Sequence, residues 1–294
     1  MTHAATVAAQ LESCLKQLCL PTARACYAEL VQRATQESLS YEQFLLELRE
    51  REREGRWDRR IQRLLRESRL PLEKSLESFD MKRLPAKLRQ QVASLLDGSF
   101  LDRRENILAF GKPASGKTHL LCALCQELVR QGRRVRYTTC SLLVQQLLVA
   151  KRDLVLPQLI KRLGRCEALL IDDLGYVRQD RDEIEVLFTL LAQRYERGSV
   201  LITSNLPFSA WEHIFKDPMT TAAAIHRLVH HSVILELNLG GFEESSQLPR
   251  PARQSSHSTG QGDGTKRGND LPIGKRTKPN ATTTDSTPSA KREK

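Results

Sequence analysis

The sequence has 294 residues, of which 40% are hydrophobic and 28% are charged, and its formal net charge is +11. This length allows one large domain or two modest ones, and the composition is ordinary for a globular protein. No run approaches the roughly 20 apolar residues of a membrane span, and the N-terminus is too polar for a secretory signal. We therefore expect a cytoplasmic protein with no membrane partner. The surplus of positive charge favours polyanions such as nucleic acid, but a basic tail on an ordinary protein would account for it equally well.

The N-terminal region, residues 1–70, has apolar residues at helical spacing and predicts a small all-helical domain for binding DNA or a protein partner. Ser40 followed by Gln43 is a capping-box pattern, so a long helix is predicted to begin just after Ser40. Any break in that helix is expected near Gly55, and Pro71 closes the region.

A change of pattern follows a connector, residues 71–100, in which one short helix is predicted near 86–96. Short β-rich runs then alternate with helical segments, which is typical of a parallel sheet with crossover helices. The five runs are NILAF (106–110), RVRYTT (134–139), ALLID (168–172), SVLITS (199–204) and VILEL (233–237). We therefore predict an α/β core over 101–242, built on a five-stranded parallel sheet flanked by helices.

The C-terminal region, residues 243–294, is rich in Ser, Thr, Pro, Gly, Lys and Arg and has almost no large apolar residues. Such a segment cannot bury a core, so we predict a disordered basic tail. It is either a solvated tail or a weak, nonspecific tether for nucleic acid.

The strongest single signal is GKPASGKT at 111–118, which matches the phosphate-binding pattern G-x-x-x-x-G-K-[ST] between a predicted strand and a predicted helix. The glycines allow backbone N–H groups to surround a phosphate, and the helix N-terminus adds its dipole. We predict that ATP binds here, with Lys117 neutralising the β- and γ-phosphates and Thr118 placing its hydroxyl on Mg²⁺. The predicted nucleotide-binding residues are Gly111, Lys112, Pro113, Ala114, Ser115, Gly116, Lys117, Thr118 and His119.

Two carboxylates end the apolar run in CEALLIDDLGY (166–176), at the strand edge where open α/β sheets bind their ligands. Asp172 is the expected Mg²⁺ partner, directly or through water. Asp173 takes the place where many such ATPases have a glutamate that activates the attacking water, although its side chain is one methylene shorter. The alternative is that the pair only caps a loop.

A third polar strand end occurs in SVLITSNLPF (199–208), which delivers Thr203, Ser204 and Asn205 to the same edge of the sheet. Asn205 is predicted to hydrogen-bond the attacking water or the γ-phosphate. The strand before it is expected to lie between the P-loop strand and the acidic strand. A plain turn at the strand end is the alternative.

An arginine that completes the site of a neighbouring subunit is predicted at Arg227, on a helix that leads into the last strand. Such arginines neutralise charge in the transition state of phosphoryl transfer. Arg194 and Arg197 are rival candidates, and for each of them a solvated or structural role is the alternative.

A basic helical face is formed by five arginines at helical spacing, and Trp57 adds a stacking group. This suits contacts to a phosphate backbone, which need charge but no fixed sequence code. The predicted DNA-binding residues are Arg56, Arg59, Arg60, Arg63 and Arg66. The glutamates interleaved at 47–54 favour the alternative, a salt-bridged surface helix.

Taken together, these motifs resemble the IstB family of AAA+ ATPases, which assist insertion-sequence transposition and are relatives of the DnaC helicase loaders. The resemblance covers about residues 10–242. It rests on KSLESFD (74–80), GKPASGKTHLLCAL (111–124), LLIDDLGY (169–176), RYERGSVLITSNLPFSAW (194–211) and AAAIHRLVHH (222–231). Lys112 and Ala114 depart from the family, which commonly has Pro or Gly there.

The resemblance implies an AAA+ core without a C-terminal helical lid, ATP-dependent self-assembly on duplex DNA, and a transposase of the integrase type as partner. Three other interpretations remain open. They are a DnaC-like loader of a replicative helicase, a small-molecule P-loop kinase, and a nucleotide-dependent binding module that hardly hydrolyses ATP.

Overall fold

The computed structural model describes residues 2–174, 181–206, 211, 228–229 and 231–237. All of them belong to the first of two units into which the chain divides, Met1–Leu248 and Pro249–Lys294. The predicted tail and the predicted Arg227 therefore lie outside the described residues, and the domain boundaries at 70, 100 and 242 stay predictions.

Three helices form the N-terminal region: α1 (Thr2–Gln17), α2 (Pro21–Glu37) and α3 (Tyr41–Ser68). The predicted capping box is confirmed at the start of α3. The Gln43 N–H donates to Ser40 Oγ at 3.2 Å, and the Ser40 N–H donates to Gln43 Oε1 at 2.9 Å. Two of the four N–H groups that begin every helix are thereby satisfied.

The break expected near Gly55 was wrong, because α3 is one continuous helix of 28 residues. A Cβ atom at Gly55 would collide with the side chain of Thr22 on α2. The glycine therefore permits a close approach between two helices and does not interrupt the helix that contains it.

The connector contains a 3-10 turn (Met81–Arg83), α4 (Ala86–Leu95) and α5 (Ser99–Asp102). Beyond it the predicted strands are all confirmed. They are β1 (Asn106–Phe110), β2 (Val135–Thr139), β3 (Ala168–Leu174), β4 (Ser199–Ser204) and β5 (Ser232–Glu236). The helices described in full between them are α6 (Lys117–Arg130), α7 (Cys140–Arg152), α8 (Leu156–Leu163) and α9 (Arg181–Arg194).

The sheet is parallel throughout, with strand order β2-β3-β4-β1-β5. As predicted, β4 lies between the P-loop strand β1 and the acidic strand β3. Because parallel strands end at one common edge, the residues that follow β1, β3 and β4 meet there.

The core consists of two clusters on opposite faces of the sheet, since alternate residues of one strand point to opposite sides. Ile107 of β1 belongs to the cluster that also contains Leu121 of α6 and Ile61 and Leu64 of α3. Leu108 belongs to the cluster formed with α7, α8 and α9. The C-terminal half of α3 thus packs over the same face as the P-loop helix α6.

The described helices include none that combines the length and the apolar character needed to cross a bilayer. The cytoplasmic location stays a prediction.

Candidate nucleotide-binding site

The loop between β1 and α6 has a backbone that only small residues adopt easily. Gly116, at the N-cap of α6, has φ 88° and ψ 8°. A Cβ atom at Gly111 would collide with the carbonyl oxygen of Leu237, just beyond β5. Ala114 is also left-handed, with φ 59°, where glycine would be unstrained. The loop therefore wraps tightly around the space at the N-terminus of α6.

Lys117 is 5% exposed, and its ammonium group closes this loop. Nζ donates to the carbonyl oxygens of Gly111 at 2.9 Å and Lys112 at 2.8 Å. Burial lowers the pKa of Lys117, although the charges of Asp173 and Asp172 oppose that effect. A buried ammonium held only by neutral carbonyls would gain from a phosphate, because charge-assisted hydrogen bonds are stronger than neutral ones.

Asp172 collects three hydroxyl donors at the carboxyl end of β3. Oδ1 accepts from Thr118 Oγ1 at 2.7 Å and from Thr203 Oγ1 at 2.5 Å, and Oδ2 accepts from Tyr137 OH at 3.1 Å. Burial, reinforced by the charge of Asp172, raises the pKa of Tyr137, which keeps its hydroxyl a donor. The carboxylate is thus fixed against the first turn of α6 by α6 itself and by the two neighbouring strands.

Asp173 is turned away from this network by an irregularity of the ladder between β3 and β4, where the register shifts between Ile171 and Leu174. Its φ is 59°, and its N–H donates to Thr203 Oγ1 at 2.8 Å. Burial and the charge of Asp172 raise the pKa of Asp173, against the opposing charges of Lys117 and Lys74. Two neighbouring carboxylates therefore have different surroundings, one saturated with hydrogen bonds and one facing a cavity.

That cavity has a volume of about 360 Å³ and brings together most of the predicted site. Seven of the nine predicted nucleotide-binding residues line it, together with Asp173, Asn205 and one residue the sequence reasoning did not select, Lys74. Gly111 and Lys112 contribute to the loop's shape and not to the lining. The lining residues are Lys74, Pro113, Ala114, Ser115, Gly116, Lys117, Thr118, His119, Asp173 and Asn205.

Two features of this lining depart from a simple phosphate loop. Ser115 Oγ is buried and has no hydrogen-bond partner among the described residues. The Nε2 atom of His119 lies 3.0 Å from the Ser75 carbonyl oxygen and 3.1 Å from Ser78 Oγ. His119 therefore joins the connector to α6, and its role in nucleotide binding stays a prediction.

Of the three donors to Asp172, Thr118 and Thr203 belong to motifs that the sequence places at this edge, whereas Tyr137 was missed. Tyr137 is the central residue of β2, so the rule that parallel strands deliver ligands at their carboxyl ends does not point to it. The same rule would not have found Lys74, which enters the cavity from the connector.

Arg194 lies at the opposite, amino edge of the sheet and is 3% exposed. Its guanidinium donates to the carbonyl oxygens of Leu163, Cys166, Glu167 and Ser199, at 2.9 to 3.3 Å. Burial lowers the pKa of Arg194 to about 10. A group bound in this way cannot reach a neighbouring subunit, so the structural alternative holds for Arg194. Arg197, three residues on, is exposed.

A second cavity, of about 290 Å³, also lies at the amino edge, next to Arg194 and Asn106. The Asn106 amide there is engaged at both ends, donating to the Leu228 carbonyl oxygen and accepting from the Val200 N–H. This cavity lacks the phosphate loop and the paired carboxylates. The cavity at the carboxyl edge is therefore the candidate site.

The basic face predicted on α3 is divided in two by its contacts. Arg56 and Arg59 both donate to Glu52, a buried carboxylate that also accepts the first N–H groups of α2, from Thr22 and Ala23. Arg60 Cζ lies 5.4 Å from the centre of the Trp57 ring, and Arg60 Nη2 donates to the Gly132 carbonyl oxygen beyond α6.

The remaining two arginines of that face are largely exposed. Arg63 approaches Glu67 at 3.9 Å while 63% of its side chain is exposed, and Arg66 donates only to a carbonyl of its own helix. The structure therefore brings Arg56, Arg59 and Arg60 into contacts within the chain, and leaves Arg63 and Arg66 available. DNA binding by this face stays a prediction.

The phosphate loop, the carboxylates at the end of β3 and the strand inserted between β1 and β3 define a P-loop ATP-binding fold of the AAA+ type.

Comparison with known proteins places the chain more narrowly. The family model described as IstB-like ATP binding protein matches residues 13–247, and the chain belongs to this family. A Sinorhizobium fredii (strain NBRC 101917 / NGR234) protein, "Putative insertion sequence ATP-binding protein y4iQ/y4nD/y4sD", is 41% identical over 241 residues, covering 82% of this chain and 81% of that protein.

A second relative is similar in sequence, and a solved structure is similar in fold. The "Insertion sequence IS21 putative ATP-binding protein" of Pseudomonas aeruginosa is 35% identical over 71% of this chain and 78% of its own length. A crystal structure of DnaI is similar with a TM-score of 0.48 at 20% identity, covering 58% of this chain and 95% of that chain.

Proposed function

We propose that this protein is a Mg²⁺-dependent ATPase that assembles on duplex DNA when ATP is bound and assists an integrase-type transposase in insertion-sequence transposition. The observation that carries the ATPase part is the 2.7 Å contact between Thr118 and Asp172 beside a cavity lined by Lys117, Asp173 and Asn205. The printed names of the relatives, insertion sequence ATP-binding proteins, support the transposition part.

The donors at the head of α6 fit magnesium. Thr118 and Asp172 offer one hydroxyl and one carboxylate, and Mg²⁺ in nucleotide sites takes one or two such oxygens, with phosphates and water supplying the rest. Among the described residues no group of three or more His, Cys, Asp or Glu side chains is placed to hold a metal, which agrees with a site completed by the nucleotide. When bound, the ion would neutralise charge on the β- and γ-phosphates.

The remaining steps of ATP hydrolysis use side chains of the protein itself. Lys117 exchanges its two carbonyl partners for phosphate oxygens. Asp173 accepts a proton from the water that attacks the γ-phosphorus, while the bond to the bridging oxygen breaks and ADP leaves. Asn205 orients that water or the γ-phosphate.

Assembly is supported by the incompleteness of this site. The part of the lining that the structure describes contains lysines but no arginine, and phosphoryl-transfer sites gain large rate factors from an arginine. We assign that role to an arginine of a neighbouring copy. Arg227 remains the first candidate, and Arg197 is the described alternative.

DNA binding is supported by the net charge of +11 and by the exposed arginines of α3. Arg63 and Arg66 have guanidinium groups without strong partners in the chain and are the more direct candidates for phosphate contacts. Arg56 and Arg59 would first have to leave Glu52, which they share with the N-terminus of α2.

The test is binding of a labelled duplex with ATP, with ADP and without nucleotide, for the wild type and Lys117→Ala. We expect cooperative binding only with ATP, and its loss in the variant. Equal binding in all conditions would show that the DNA affinity is only electrostatic attraction that does not depend on ATP. A preference for single-stranded DNA with no gain on duplex would instead favour the alternative, a DnaC-like helicase loader.

The assignment of DNA contacts to Arg63 and Arg66 is tested with two matched double variants. We expect Arg63→Ala with Arg66→Ala to weaken duplex binding and to reduce its dependence on salt concentration, because each lost phosphate contact lowers the salt slope by about one. Arg56→Ala with Arg59→Ala should mainly lower the melting temperature, since it removes two partners of a buried carboxylate.

A further inference from the structure

The first ten residues of the connector, 71–80, contact the P-loop helix at both of their ends, although five of them are exposed. At one end, Gln126 Nε2 of α6 donates to the carbonyl oxygens of Pro71 and Lys74, both at 3.0 Å. At the other end, Phe79 is buried and meets the His119 ring edge-on, with the ring centres 5.1 Å apart. We call this segment the connector strap; it follows α3 directly and runs along α6 towards the phosphate loop.

Lys74 is the residue through which the connector strap reaches the cavity. It is half-buried and shares the lining with Lys117 and Asp173. Among the described residues, Lys151 is the lysine that pairs with carboxylates, Asp182 and Glu185, whereas Lys74 pairs with none. In the described lining, Lys74 and Lys117 share one carboxylate, Asp173, so an anionic ligand would add the charge-assisted hydrogen bonds that Lys74 lacks.

We propose that Lys74 is a second phosphate-binding cation of the nucleotide site, so that a bound triphosphate fixes the connector strap and, through it, the end of α3. This inference rests on the proposed ATP binding at the phosphate loop. It adds a ligand-binding residue outside the loop and gives a physical route from the nucleotide to the N-terminal helices.

The route is short and consists of direct contacts between neighbouring segments. Five residues separate Lys74 from Ser68, the last residue of α3. That end of α3 is held to β2, because Arg136 Nη1 donates to the Glu67 carbonyl oxygen at 2.8 Å. Farther back, Arg60 of α3 donates to Gly132 at the far end of α6. The connector strap and α3 therefore contact α6 at both ends, and a ligand on Lys74 restrains the strap between them.

The first test measures nucleotide affinity for Lys74→Ala against Lys82→Ala, an exposed lysine of the same connector that does not line the cavity. The probes are Mg-ATP, Mg-ADP and inorganic tripolyphosphate, each competing with a fluorescent ATP analogue. Because a charge-assisted hydrogen bond is lost, we expect Lys74→Ala to weaken ATP and tripolyphosphate about tenfold. Lys82→Ala should match the wild type, and Lys74→Arg should restore most of the affinity.

The second test measures hydrogen exchange of the backbone amides at 71–80 at saturating ATP. We expect slower exchange in the wild type and in Lys74→Arg, and no slowing in Lys74→Ala although its site is full. A purely structural lysine would change exchange equally with and without nucleotide.

The outcomes separate this inference from the proposed function. If Lys117→Ala abolishes ATP binding while Lys74→Ala binds ATP and tripolyphosphate like the wild type, Lys74 is not a phosphate ligand and the ATPase proposal stands. If the wild type binds no nucleotide, both fail. Weakened ATP binding with unchanged tripolyphosphate binding would place Lys74 against the nucleoside and overturn the phosphate assignment.

Discussion

The two edges of the sheet each contain a buried cation that donates to backbone carbonyl groups, and the two cations have different roles. At the carboxyl edge, Lys117 bonds two carbonyls of a loop and lies beside a cavity of about 360 Å³. At the amino edge, Arg194 bonds four carbonyls from the ends of α8, β3 and β4. Neither cation has a carboxylate partner in an ion pair among the described residues.

The difference lies in what surrounds the carbonyl partners. Those of Arg194 belong to the last residue of α8, to the turn before β3 and to the first residue of β4. Those of Lys117 belong to a loop with Gly111, Ala114 and Gly116 at positive φ, next to open space. A buried cation thus stabilises the fold where its hydrogen-bond acceptors are fixed and numerous. It can bind a ligand where those acceptors are few and a better acceptor can enter.

The largest expected effect concerns the base at the carboxyl edge. Asp173→Asn should keep ATP binding and reduce the rate of hydrolysis by about 10²- to 10⁴-fold, because a general base is lost. Phosphate release under saturating ATP measures it, and Asp153→Asn, an exposed aspartate after α7, is the control. Unchanged hydrolysis would assign the base elsewhere.

Asp173 also makes the stability of the folded protein depend on pH, and the direction of its pKa shift gives the sign of that dependence. Burial raises the pKa of Asp173 above its ordinary value of 3.8, so folding disfavours its ionised form. Above the raised pKa the charge therefore costs stability, and below 3.8 the cost vanishes. Asp173→Asn should accordingly melt higher than the wild type at pH 7, with the gain shrinking as the pH falls.

The amino edge is tested by stability. Arg194→Ala should lower the free energy of unfolding by about 3 kcal/mol, because several buried carbonyls lose a charged donor. Urea unfolding measures this change. Arg197→Ala, at an exposed residue in the turn after α9, should stay within about 0.5 kcal/mol of the wild type. Equal losses in both variants would contradict the structural role of Arg194.

A smaller effect is expected from the network that positions Asp172. Tyr137→Phe removes the donor to Oδ2 and should raise the Mg²⁺ concentration for half-maximal hydrolysis about fivefold, the equivalent of one hydrogen bond near 1 kcal/mol. Tyr195→Phe, next to the cavity at the amino edge, is the matched control. An equal effect in the two variants would show that Tyr137 acts only through packing.

The smallest effect is expected at Ala114, whose φ of 59° costs energy that glycine would not. Ala114→Gly should leave stability unchanged or raise it by up to about 1 kcal/mol. Ala192→Gly, inside α9, should lower it by about 1 kcal/mol. Thermal unfolding of both variants measures the difference, and a loss at Ala114 equal to that at Ala192 would show that the loop is not strained there.

Local signals were sufficient for the sheet and the phosphate loop. β1 and β4 have the bounds that their apolar runs predicted, and β2 and β5 differ by one residue at their ends. β3 runs two residues farther than ALLID, because pairing resumes at Leu174 after the irregularity at Asp173. That irregularity depends on the contact with Thr203 on another strand, which no local pattern contains.

The residues that sequence reasoning misjudged or missed depend on contacts between distant segments. Gly55 suggests a helix break by itself, but its neighbour is Thr22 on another helix. From its place in the sequence Arg194 is a candidate for contact with a neighbouring subunit, but in the structure four carbonyl groups bind it. Lys74 and Tyr137 reach the site from the connector and from β2, and their spacing from the phosphate loop in sequence carries no pattern.

The most direct measurement is Mg-ATP binding by the wild type, Lys117→Ala and Lys82→Ala, with the melting temperature of each recorded without nucleotide. If the carboxyl edge is the nucleotide site, Lys117→Ala loses ATP affinity by at least about a hundredfold while melting like the wild type, and Lys82→Ala, at an exposed lysine outside the cavity, binds normally. Unchanged ATP affinity in a folded Lys117→Ala would contradict the assignment of the site.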